Sequence, residues 1–154
     1  MATFIDLEFD TAEPGGAPLG DIASSLVSLN DLLRDLAAMA AYPSSAEFRE
    51  IQVVAIQMRS PLTVKLSLLA ISAEAVKAFQ DICRDIILVR RGREEADATR
   101  LAKIRTTLER VLLAEGNTGH IDEKEIQRVY GHVVSLLNAQ VPLKRVVVKE
   151  EPAR

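Results

Sequence analysis

The chain has 154 residues, a formal net charge of −3 and a hydrophobic fraction of 48%. This length fits one domain with a sizeable core, while the negative charge argues against general nucleic-acid binding, which depends on neutralising phosphates. No stretch is long and apolar enough to predict a membrane span, and the acidic N-terminus lacks a signal-peptide pattern, so we expect a cytoplasmic location.

The N-terminal third predicts a strand followed by a helix. Thr3 to Phe9 alternates apolar and polar side chains, as in a strand with one covered face. Thr11 to Ala17 contains Pro and Gly residues and predicts a loop. From Pro18 to Ala41 the apolar residues recur every three or four positions, which predicts a long helix. Additional apolar residues widen this stripe and favour a helix buried on two sides, namely Val27, Leu32 and Met39.

Two further strands are predicted as a hairpin. Glu50 to Met58 is rich in Ile and Val at both odd and even positions, which favours a strand covered on both faces. Leu62 to Leu68 alternates cleanly and predicts a strand with one covered face. The short segment Arg59 to Pro61 between them predicts a tight connection.

The stretch from Ser72 to Gly116 carries two apolar seams at helical spacing. Basic residues end the first seam, acidic residues begin the second, and Gly92 lies between them, which favours two helices forming a hairpin. The alternative is one continuous helix of about 60 Å, in which Gly92 would cost about 1 kcal/mol. Cys83 lies on the first seam and is interpreted as a small core residue.

A last helix and a short tail complete the chain. Asp122 and Glu125 have the spacing of a capping box and predict a helix that runs to about Asn138. The inner face of this helix is predicted to hold Ile126, Tyr130, Val133 and Leu137. Residues 141–154 contain a β-prone run and predict an edge strand, a partner-binding segment or a mobile end. The whole pattern predicts an α+β fold with residues 1–140 as one domain. The sheet has three strands, or four if the tail joins it.

One segment resembles a known metal-binding loop. Ala114 to Glu125 resembles the second half of an EF-hand calcium loop in Gly119, Ile121, Asp122 and Glu125. The positions that hold the first oxygen ligands of that family are here Ala114, Gly116 and Thr118. Because calcium takes six or more oxygen ligands, we interpret this segment as a helix connector. The two histidines, His120 and His132, fit no common zinc spacing, and we predict no metal or cofactor.

Two charged clusters are weighed as sites. Asp6, Glu8 and Asp10 recur every second residue in and just after the first strand, and such carboxylates can hold the divalent metal of an enzyme. We interpret them first as a solvated sheet face. Near the helix junction lies a basic cluster that predicts either an anion contact or a helix-terminus charge pattern, formed by Arg90, Arg91 and Arg93.

The sequence contains no recognisable catalytic constellation, while its helical seams exceed what a small sheet can cover. We therefore expect a non-enzymatic interaction module that forms a homo-oligomer or docks on a protein partner. The residues expected to carry it are Leu101, Ile104, Leu108 and Val111, with Val146, Val147 and Val148 as an added strand. The alternatives are a small-molecule-sensing domain and a metal-dependent enzyme that uses the acidic strand face.

Overall fold

The computed structural model describes residues 2–11, 17–41, 51–57, 62–68, 72–114 and 121–151. Most of the predicted loop after the first strand, the turn at Arg59 to Pro61, and the EF-hand-like residues 115–120 with His120 lie outside these ranges. In chain order the elements are β1 (Ala2–Phe9), α1 (Leu19–Ala41), β2 (Gln52–Gln57), β3 (Leu62–Leu68), α2 (Ala73–Arg90), α3 (Asp97–Ala114), α4 (Glu123–Leu137) and β4 (Leu143–Glu151).

The four strands form one sheet in the order β2-β3-β1-β4, and every neighbouring pair is antiparallel. The predicted α+β fold is confirmed, and the tail joins the sheet as its fourth strand beside β1. The sheet order and the β-α-β-β-α-β connectivity are those of a ferredoxin-like sandwich, with α3 and α4 added before the last strand. Such a topology does not by itself indicate a function.

Only one face of the sheet is packed into the core. On β1 the buried residues are Ile5, Leu7 and Phe9, while the residues between them are partly exposed. Leu66 and Val64 of β3 lie directly opposite Ile5 and Leu7 and are buried with them. The predicted alternation is confirmed for β1 and, except at the buried Ser67, for β3, because each strand buries the apolar side of its pleat.

The helices form a layer in which α1 contacts each of the other three. The Ser25 hydroxyl of α1 donates a hydrogen bond of 2.9 Å to the carbonyl oxygen of Val141, just before β4. His132 Nε2 of α4 lies 2.8 Å from Asp35 Oδ2 of α1. The expected wide apolar stripe of α1 holds for Leu32 and Met39, which are buried, but not for Val27, which is 57% exposed.

The inner face of α4 is rotated slightly from the predicted one. Asp122 caps the helix, because its side chain accepts a hydrogen bond from the Lys124 amide, and this confirms the predicted helix start. Tyr130 and Leu137, which were predicted on the inner face, lie at its borders. The residues that α4 buries are Ile126, Val129, Val133 and Leu136.

The hairpin prediction for the two central helices is confirmed. α2 ends at Arg90, and α3 begins at Asp97. Gly92 between them has a φ of 113°, a backbone conformation that side-chain-bearing residues rarely adopt. The Arg91 and Gly92 amides donate hydrogen bonds to Ile87 and Val89 carbonyl oxygens and close the end of α2.

The two glycines Gly92 and Gly131 should respond oppositely to alanine. A Cβ added at either position meets no atom within 4 Å, so only the backbone conformation separates them. We expect Gly92→Ala to lower the free energy of unfolding by about 1–2 kcal/mol because its φ is positive. We expect Gly131→Ala, inside α4, to raise it by about 1 kcal/mol. Urea unfolding of both variants measures this, and changes of equal sign would contradict the junction geometry.

Candidate interaction surface

Strand β2 is the most exposed element of the sheet. All six of its residues are exposed, and three are large and apolar: Val53 is 53% exposed, Val54 49% and Ile56 50%. The prediction that this strand is covered on both faces is wrong. Val53 and Ile56 lie opposite Leu66 and Val64 of β3, which are buried, so the helical layer covers β3 but does not extend over β2.

The backbone of β2 is also unpaired along one side. In the described part of the chain, β2 pairs only with β3 and forms one edge of the sheet. A strand edge presents backbone N–H and C=O groups that can pair with another chain. The register shifts between Val53 and Ala55, which marks a β-bulge. Val54 is the additional residue, since two residues of a bulged strand oppose one on the neighbour.

The two edges of the sheet differ in charge. The β2 sequence QVVAIQ contains no charged residue, whereas β4 carries Lys144, Arg145, Lys149 and Glu150. Charged side chains on an edge strand discourage pairing with another chain. β4 therefore has this protection at both of its ends, on either side of Val146 to Val148, and β2 has none.

The uncovered face of the sheet has mixed charge. It forms a shallow concavity of about 390 Å³ across all four strands. The Lys149 ammonium pairs with Asp6 at 3.0 Å, and the Lys65 ammonium lies 4.5 Å from the centre of the Phe4 ring. Because a cation already covers this ring, Phe4 is poorly placed to stack a nucleic-acid base.

The acidic residues Asp6, Glu8 and Asp10, in and just after β1, are not grouped as the ligands of a metal ion would be. Asp6 and Glu8 lie on the uncovered face, and Asp6 is paired with a lysine. Asp10 follows the strand, where its amide donates a hydrogen bond of 2.9 Å to the carbonyl oxygen of Pro142. Among the described residues, no three His, Cys, Asp or Glu side chains are grouped to bind a metal ion.

The helical seam predicted for partner binding is packed inside this chain. Ile104 is 4% exposed, and Leu108 and Val111 are fully buried, while Leu101 is partly buried against the same core. In β4, Val146 is buried, and the other two predicted residues, Val147 and Val148, are partly exposed. A role of these residues in partner binding stays a prediction. In this conformation the buried ones offer no free apolar surface.

The three predicted anion-binding arginines all have partners within the chain. Arg90 donates a hydrogen bond to the carbonyl oxygen of Leu137, at the end of α4, and Arg91 donates one of 3.5 Å to that of Lys144. Arg93 lies 3.1 Å from Asp85 and 2.7 Å from Glu95. An anion contact stays a prediction, and it would compete with these bonds.

Glu95 is the most buried of the charged side chains that form ion pairs here. Its side chain is only 4% exposed and accepts hydrogen bonds from Arg93 and Lys103. Desolvation alone would raise the pKa of this carboxyl, but the bonds from Lys103 and Arg93 outweigh it, so the pKa of Glu95 lies below its ordinary value. Glu95 thereby ties the α2–α3 junction to the first turns of α3.

Cys83 lies in the core, as predicted. It is fully buried, and the loss of solvent raises the pKa of its thiol. A buried thiol of this kind is unreactive because the thiolate is the nucleophilic form.

None of the described helices is both long and apolar enough to cross a membrane. Comparisons with protein-family models, with curated proteins and with solved structures each found no match to this chain. Of the surfaces described above, β2 is the one that the sequence interpretation missed. An uncharged run of Ile and Val marks this strand in the sequence, but the same pattern is also typical of a strand that is covered on both faces.

The Glu95 contacts predict a pH-dependent contribution to stability. Because the pKa is lowered on folding, the ionised carboxyl stabilises the fold above the unfolded-state pKa of about 4.3. This contribution is lost as pH falls through the folded-state pKa. We expect Glu95→Gln to lower the free energy of unfolding by about 1 kcal/mol at neutral pH. Urea unfolding at a series of pH values should show the difference from the original chain shrinking in acid.

The neighbouring residue supplies the control for this measurement. Glu94 is exposed, so we expect Glu94→Gln to change stability by less than about 0.5 kcal/mol. A pH-independent effect of Glu95→Gln, or an equal effect of both substitutions, would contradict the assigned role of Glu95.

Proposed function

We propose that this chain is a non-enzymatic protein interaction module whose docking element is β2. The observation that carries the proposal is the exposure of all six β2 residues on an uncharged sheet edge. The occupant is an extended protein segment that adds to the sheet as a further strand. Small-molecule and enzymatic functions would not require such an edge.

Strand addition suits the two kinds of group that β2 exposes. Backbone N–H and C=O groups at the edge supply hydrogen bonds that are independent of sequence, while alternating side chains supply selectivity. Val53 and Ile56 are each about half exposed on the side of the sheet that the helices cover elsewhere. A partner that covers them would extend the existing core, and burial of apolar area contributes about 25 cal/mol per Å².

The arrangement of the other apolar surfaces also supports β2. The predicted seam on α3 is largely buried within the chain, and β4 carries charged side chains that disfavour pairing with another strand. Isolated exposed apolar residues, such as Leu113, are common on protein surfaces and need no partner. Val53, Val54 and Ile56 instead lie together on one short strand, and such clustering is typical of an interaction site.

A photo-crosslinking side chain on β2 tests this function. We expect a photoreactive amino acid at Val54 to form a covalent adduct with a protein in cells that express the full chain, because a docked strand lies within contact distance. The same group at Leu113, which is 68% exposed on α3, is the matched control and should form no such adduct. Mass spectrometry identifies the attached protein and the position of the link.

A charge on β2 should abolish the adduct. Ile56→Lys places an ammonium group on the docking edge, where it disfavours strand pairing. Because Ile56 is half exposed, we expect this change to alter stability by less than about 0.5 kcal/mol, which circular dichroism and urea unfolding verify. No adduct at Val54, or an adduct that Ile56→Lys leaves unchanged, would contradict the proposal.

The concavity on the uncovered sheet face favours a second candidate, a small-molecule sensor. Its volume of about 390 Å³ is within the range of ligand sites. Its lining includes Asp6, Glu8, Lys65, Arg145 and Lys149. Both signs of charge are present, so the ligand would be a small zwitterion.

Thermal unfolding with a panel of free amino acids tests this second candidate. We expect at least one to raise the melting temperature of the chain, since a ligand that binds only the folded state stabilises it. Arg145→Ala should remove that shift. A melting temperature that no amino acid changes would contradict the candidate.

A further inference from the structure

We infer that the strand accepted by β2 is β2 of a second copy of this chain, running antiparallel to it about a twofold axis. The inference rests on the proposed function of β2 as a docking strand and identifies its partner. Two four-stranded sheets would thereby join into one sheet of eight strands.

In one antiparallel register, each residue of β2 lies opposite a residue of similar chemistry in β2 of the second copy. In QVVAIQ the reversed strand sets Gln52 opposite Gln57, Val53 opposite Ile56, and Val54 opposite Ala55 of the second copy. The outer pair can hydrogen-bond through their amide side chains. The other pairs bring apolar side chains together, and cross-strand pairs of this kind stabilise sheets.

Because of the bulge, the two residues of each pair in this register lie on the same face of the sheet. Val53 and Ile56 both lie opposite residues of the buried face of β3, although they are three residues apart. In a regular strand, residues three apart point to opposite faces. The bulge therefore puts the members of the Val53–Ile56 pair on the same face in each copy. The same holds for Gln52 and Gln57, which oppose Ser67 and Thr63.

The bulge also selects a second copy over an unrelated strand. Val54 and Ala55 together oppose the single residue Lys65 on the β3 side. On the outer side a regular partner strand would again have to oppose two residues with one. A second β2 opposes two residues with two, so the bulges match. The helices of both copies then lie on the same side of the joined sheet.

Charge and symmetry favour the same partner. β2 is uncharged, so a twofold pairing brings no like charges together. A symmetric pairing of β4 centred on Val147 would instead place Arg145 opposite Lys149 and Lys144 opposite Glu150 of the second copy. The first pair repels and the second attracts, so charge gives that pairing no net advantage. Pairing of β2 with β4 of a second copy would leave one β2 edge and one β4 edge free, so further copies could add and form a filament. The twofold pairing of β2 with β2 uses both β2 edges and forms a closed dimer.

The dimer should be weak and reversible. A strand of six residues is about 20 Å long, and specific interfaces usually bury about 800 Å² on each partner. Pairing of two such strands supplies less than this area, so we expect a dissociation constant of about micromolar or weaker. Light scattering should then show a mass that rises from 16.9 kDa toward twice that value with concentration.

Engineered cysteines test the partner and its register. Opposed residues in antiparallel strands have Cα atoms about 4.5–5.5 Å apart, which a disulfide spans. We expect Val53→Cys mixed with Ile56→Cys to give a disulfide-linked dimer on oxidation, and each variant alone to give several-fold less. In the proposed register two copies of position 53 are separated by about 10 Å. The native Cys83 is buried and does not interfere.

A second pair and a control complete the design. Gln52→Cys mixed with Gln57→Cys should cross-link in the same way. This second pair replaces no apolar residue, so it tests the register even if Val53→Cys or Ile56→Cys impairs folding. Leu113→Cys mixed with Val53→Cys should not cross-link. Equal cross-linking of Val53→Cys alone would overturn the stated register. Failure of both mixtures, together with a Val54 adduct to a different protein, would overturn the second copy as partner and leave the function of β2 standing.

Discussion

The pairing of β1 on both sides, combined with the burial of only one of its faces, determines the arrangement of the other elements. β3 and β4 both align antiparallel to β1, so its apolar residues Ile5, Leu7 and Phe9 lie at the centre of the buried face. All helical seams must then converge on one side of the sheet. α1 contacts the other three helices there, and the opposite face carries charged residues together with a few apolar ones such as Phe4 and Val147.

The local sequence signals predicted most of this fold because their causes are local. The alternation of β1 follows from the pleat, the start of α4 from the Asp122 cap, and the end of α2 from the positive φ of Gly92. Pairing of β4 with β1 could only be stated as one of three outcomes. Whether a β-prone segment finds an edge depends on which edges the other strands leave open, and no local pattern contains that information.

The candidate site was harder to predict because apolar residues do not reveal what covers them. Ile104 and Leu108 on α3 have the spacing of a docking seam, but the chain's other helices bury them. Val53 and Ile56 on β2 have the spacing of a covered strand, but the helical layer ends before them. In both cases the local pattern correctly identifies a surface that avoids water, and only the packing of the whole chain decides whether that surface faces inward or outward.

The exposed bulge of β2 affects which strands can pair with it, because it disfavours a regular strand and favours a strand with the same bulge. A bulge twists the edge and disrupts the ladder, which makes pairing with a regular strand unfavourable. β2 has no charge to protect it, so the shift between Val53 and Ala55 is the one such device within the six residues of this strand. A second copy carries the same shift in the opposite direction and removes the mismatch. The feature that discourages pairing with other strands therefore favours pairing with itself, and specificity arises without any charged contact.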